Sequence, residues 1–154
     1  MASEYVSFML VFGLGISMVV GITITMQSLT QSVSETSADV ALEKVIEKIK
    51  GSLIDGVNNE RQWNGISSFE YNLDISRLLV NRYSYEISVI LIDNSYYLIG
   101  KSVDTTTTNI TKTSPLIFTV NDMTISGTIS SSSSNPYILF EKNTKGIVVT
   151  LGNR

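Results

Sequence analysis

The chain has 154 residues, enough for one folded domain with an appendage, and only 16% of them are charged, against roughly 25% in ordinary soluble domains. A formal net charge of -3 argues against nucleic-acid binding, which normally shows a basic face. Cysteine and histidine are both absent, which excludes disulfides, thiolate metal sites and the commonest general base, and turns the reading toward a structural or binding role.

The opening, "MASEYVSFMLVFGLGISMVVGITITMQSLTQS", is uncharged from Tyr5 to Ser34, with Glu4 at its tip. An uncharged run of about 18 or more residues reads as a membrane-spanning helix, because lipid leaves no partner for an exposed backbone. Residues 5–29 meet that length. A secretory signal carries basic residues ahead of a shorter apolar run, whereas the first basic residue here is Lys44. Gly13, Gly15 and Gly21 are spread along the run, with Ser7, Ser17, Thr23 and Thr25 between them. Small residues let helix backbones approach closely, and Gly13 with Ser17 makes a small-xxx-small pair. The run therefore reads as a helix that packs against copies of itself, with a plain single-pass anchor as the other reading.

The helical pattern continues past Thr30. Ala38, Ala41, Leu42, Val45, Ile46, Ile49 and Leu53 recur at three- and four-residue steps, one apolar stripe. Glu43, Lys44, Glu47, Lys48 and Lys50 fill the other side and read as a solvated face. Gly51 and Gly56 read as the end of the helix. A helix over residues 3–55 is roughly 80 Å long at about 1.5 Å per residue.

From Phe69 the period shortens. "FEYNLDI", "YSYEISVILID", "YYLIGKSV", "PLIFTV", "MTISGTIS", "YILFEK" and "GIVVTL" are rich in β-branched and aromatic residues. "DNS" at 93–95 and "NTKG" at 143–146 read as hairpin turns. About seven short strands predict an antiparallel sandwich or barrel-like sheet, with the Ala38–Leu53 stripe as its cover. "DTTTTNITKTS" at 104–114 and "SSSSSNP" at 130–136 read as surface loops. Asn109 opens an Asn-Ile-Thr sequon and is a glycosylation candidate.

Other constellations lack geometry. Glu70 with Asp74, and Asp93 with Asp104, read as solvated acids. Asp93, Asn94 and Asp104 lack calcium-loop spacing. "GLG" at 13–15 lies within an apolar helix and is no phosphate loop. Trp63 reads as packing at the helix-to-sheet junction. Neither a catalytic residue, a cofactor site nor a metal site is expected.

With this layout in view, "ASEYVSF" followed by "MLVFGLGISMVVGITITM" resembles the start of an archaeal type IV pilin. The likeness covers about the first thirty-five residues in detail, and "FEYNLDISRLLVNRYSYEISV" is similar to a corner of many archaeal pilin-like heads. It implies an α+β fold: a long N-terminal hydrophobic helix, then an antiparallel β-sandwich head of immunoglobulin-like character. Residues 1–57 are expected to form the helix, hydrophobic over 1–30 and amphipathic over 31–57, and residues 58–154 the head. The resemblance implies a homo-oligomeric helical filament at the cell surface, held in the cytoplasmic membrane before assembly and extracted by an assembly ATPase and platform. It places Glu4, Phe8, Phe12, Gly13, Ser17 and Gly21 in subunit packing, with Glu4 meeting a neighbour's N-terminal amine. Precursors in the family carry a basic leader ending in Gly, and none stands ahead of Ala2. Either the numbering starts at a processed or trimmed chain, or Met1 is the true start, and the second case resembles a membrane-anchored pilin-like stator of the archaeal flagellum that binds the surface layer. A membrane-tethered β-sandwich enzyme or receptor is the third and least supported class.

Overall fold

Apolar steps of three and four residues, with no proline before Pro115, carry one helix, α1, from Ala2 to Asn59. The computed structural model describes residues 2–59, 68–80, 82–103, 110–119, 123–133, 135–144 and 146–154. By compactness the chain divides into two units, Met1–Thr36 and Ser37–Arg154, so the division falls within α1. The helix also runs through Gly51 and Gly56, which the sequence reads as its end. Trp63, Asp104 and Asn109 lie outside the described residues.

Seven strands follow α1: β1 (Ser68–Asn72), β2 (Tyr85–Ile92), β3 (Ser95–Ser102), β4 (Thr111–Thr119), β5 (Met123–Ser130), β6 (Pro136–Asn143) and β7 (Gly146–Asn153). Each corresponds to a run expected from the sequence. They form one mixed sheet in the order β1-β6-β7-β5-β2-β3-β4. All pairings are antiparallel except β5 with β7. The reason is topological. β7 turns back from β6 and therefore runs in the direction of β5, and it inserts between the two.

Local chemistry sets the turns and the switch. Asp93 and Asn94 join β2 to β3 with φ of 47° and 67°, the positive pair that a tight two-residue hairpin needs. β5 changes partner along its length. Met123–Gly127 pair with β7, and Thr128–Ser130 pair with β2. The change falls at Gly127, whose φ is +109° and whose absent Cβ would lie 2.0 Å from the Leu151 carbonyl oxygen.

In the Ser37–Arg154 unit, the expected stripe is the part of α1 that packs on the sheet. Leu42, Ile46, Ile49 and Leu53 are fully buried, in one cluster with Ile87, Leu98, Ile129, Ile138, Phe140 and Val149. Four such side chains contribute about 6–12 kcal/mol of burial. β3 approaches closely because Gly100 has no side chain; a Cβ there would lie 2.9 Å from both Leu42 and Ile46. Tyr85 is buried beside this core, its hydroxyl donating to the Ser76 carbonyl. Burial pushes that phenol up to about 12.

The charged side of the stripe is partly fastened to β4 and is not merely solvated. Lys112 donates to Asp39 at 2.8 Å and lies 3.7 Å from Glu43. The hydrogen bond to Asp39 is the main cause that raises the Lys112 ammonium above its ordinary value. Ser114 donates to Glu47 at 3.1 Å and accepts from Lys50 at 3.3 Å. The threonine-rich loop expected at 104–114 is corrected over its second part. Ile110 is buried, and Thr111–Ser114 belong to β4, paired with Lys101–Leu98. β-branched threonine suits a pleated strand as well as it suits a loop. In the serine-rich stretch, Ser130 closes β5 and Pro136 opens β6.

Two glycines of α1 separate propensity from packing. A Cβ at Gly51 meets nothing within 4 Å, whereas one at Gly56 would lie 2.2 Å from the Phe140 ring. Gly51→Ala is expected to raise stability by about 0.5–1 kcal/mol. Gly56→Ala is expected to lower it by about 1–3 kcal/mol. Urea melts of the two variants in the same detergent check the pair.

Candidate assembly segment

The first part of α1 leaves its apolar side chains uncovered. Large hydrophobic residues from Tyr5 to Val33 are exposed, Phe8 at 69% and Val11 at 70%. Its most apolar 18-residue window has a mean hydropathy of 2.2, and none of that window is buried. By length and composition the segment is able to cross a membrane.

Four of its hydroxyls are bonded back to the helix. Ser17 donates to the Gly13 carbonyl (2.9 Å), Thr23 to Val19 (2.9 Å), Thr25 to Gly21 (2.8 Å) and Thr30 to Met26 (2.8 Å). This i to i−4 bonding lets Ser and Thr enter a low-dielectric medium without an orphaned donor.

The expected packing residues fall on two neighbouring rows of the helix surface, as four-residue spacing dictates. Glu4, Phe8 and Phe12 make one row, with Ile16 and Val20 beyond them. Phe8 and Phe12 stack along it, their centroids 6.3 Å apart and their planes 10° from parallel. Gly13, Ser17 and Gly21 make the other. A Cβ at Gly13 or Gly21 meets nothing within 4 Å, so nothing within the chain requires glycine there. Thr25 extends the small row by one more step, and its bond to Gly21 draws the hydroxyl against the helix. From the sequence Thr25 is named along the run but not placed with the packing residues, although the four-residue step from Gly21 was available. Glu4 lies in the first turn, where the helix dipole favours an acid. Among the described residues, no group of three His, Cys, Asp or Glu side chains is placed to hold a metal ion.

A large-residue ridge beside a small-residue groove is the relief that two helices need to interlock. The fold and this segment define an α+β protein whose long N-terminal helix exposes a membrane-grade apolar surface. No family model, no curated protein and no solved structure matches the chain.

Proposed function

We propose that the chain is a structural subunit of an archaeal type IV-like pilus, polymerising through the first part of α1 for adhesion or surface attachment. The observation that carries this reading is the uncovered apolar segment with its paired ridge and groove. Against water, burying a dozen large side chains at about 1.5–3 kcal/mol each amounts to tens of kcal/mol. Against lipid the gain is small, and close packing has to supply it. The small row permits that packing. Extraction from the membrane then falls to an assembly ATPase and platform, as the resemblance implies. The chain does no chemistry in this reading. Its sheet unit is a pilin-type head of immunoglobulin-like character. The switch of β5 between two groups of strands supports that, because strands that change sheets do so at such bends.

A second reading is favoured by the internally bonded hydroxyls. Bonding Ser17, Thr23, Thr25 and Thr30 back to the helix lowers the cost of standing alone in lipid, as a membrane-anchored pilin-like stator component requires. Shearing cells and imaging the released material separates the two. The pilus reading expects long helical polymers composed of this chain. Retention of the chain at low copy in the membrane fraction would decide for the stator.

A further inference from the structure

Two polar concavities adjoin at Ser130 in the Ser37–Arg154 unit. The larger, of about 450 Å³, lies between the 72–77 segment, the turn after β5 and Arg154. The smaller, of about 290 Å³, carries Arg82, Ser84 and Ser132. Together they have the size of a small-ligand site.

The charge of this groove is opposite to that of the chain. The net charge is -3, yet three of the four arginines, Arg77, Arg82 and Arg154, stand on the groove. The fourth, Arg61, lies outside the described residues. Asp74 is the one carboxylate side chain among the described lining residues, and it is fully exposed and 3.7 Å from Lys48.

The walls are held by backbone bonds. Leu73 N–H donates to Pro136 (2.9 Å), Ser131 N–H to Tyr85 (2.9 Å) and Arg154 N–H to Asn135 (3.1 Å). Two of the guanidiniums are oriented by aromatic faces. Arg82 lies over the Tyr83 ring at 5.3 Å, and Arg154 over the Tyr137 ring at 6.0 Å. Arg154 also reaches Glu70 at 2.6 Å, and a guanidinium with five N–H donors keeps others for a ligand.

We infer that this groove binds a short acidic saccharide. The arginine forks match carboxylates in pairs of hydrogen bonds. Serine hydroxyls and the Asn135 amide both donate and accept, as ring hydroxyls require. The polar lining excludes an acyl chain or an apolar cofactor, which need mostly apolar walls. The site lies wholly in the sheet unit and does not rest on the assembly of α1.

The test is calorimetric titration of the full chain in detergent with trigalacturonate and with a neutral galactose trisaccharide. Binding of the acid is expected, with the neutral sugar at least tenfold weaker. Arg77→Gln with Arg82→Gln is expected to weaken the acid tenfold or more while the double variant still unfolds in one cooperative transition, since both side chains are exposed. Arg154→Gln gives a second reading of the same loss. Three results overturn the inference: no binding of the acid, equal affinity for both sugars, or unchanged affinity in the double variant. Displacement of the acid by an equal concentration of inorganic phosphate also overturns it, because the groove is then a plain anion site.

Discussion

Gly127→Ala is expected to cost the Ser37–Arg154 unit about 2–5 kcal/mol. Two effects add. An L side chain at a φ of +109° is strained, at about 1–2 kcal/mol. The new Cβ would also meet the Leu151 backbone, with its carbonyl oxygen at 2.0 Å. That backbone is part of the ladder between β5 and β7 and cannot swing aside as a side-chain tip does. Gly146→Ala is the control, because it shares a positive φ, +131°, but has open space around it. It is expected to cost only about 1–2 kcal/mol. Chemical unfolding, read by amide exchange in β5 and β7, separates the two. Equal losses would mean that the close approach to Leu151 contributes nothing.

Gly13→Leu is expected to reduce assembly about tenfold or more while membrane insertion stays intact. A leucine fills the groove that a neighbouring ridge needs, and overpacking costs about 1–3 kcal/mol at each contact. Insertion depends on hydropathy alone, which leucine increases. Gly15→Leu places the same bulk on the opposite side of the helix and is expected to harm assembly less. The checks are the polymer recovered by shearing and the carbonate-resistant membrane fraction. Equal loss of assembly and insertion would count against close helix packing.

The elements were largely legible in the sequence because their periods differ sharply. Uncharged residues 5–29, the Ala38–Leu53 stripe and seven β-branched runs each announce one local structure. The order of the strands was not legible. Nothing in "GIVVTL" says that β7 inserts between β6 and β5, since pairing is decided by the whole packed sheet. Gly127 could be seen but not interpreted, because its need for a positive φ arises only where β5 changes partner. Thr111 and Thr113 were misread because low complexity masked a strand-forming composition. For the candidate assembly segment, the Gly13 and Ser17 pair was legible from spacing, and Gly21 came from a family likeness. Glu4, Phe8 and Phe12 came from a family likeness, and helical geometry then put them on the neighbouring row. The arginine groove was invisible in sequence. Arg77 and Arg82 are near neighbours in the chain but Arg154 is far from both, and only the fold of the turn after β5 and the end of β7 brings it beside them.

The most direct measurement replaces Phe12 with the photo-crosslinker p-benzoylphenylalanine, an aromatic of similar shape, and illuminates cells that produce the chain. If the apolar segment is seated against other copies, the label joins two chains and a doublet of twice the mass accumulates. Labels that capture lipid alone, with every chain remaining single, would contradict the account.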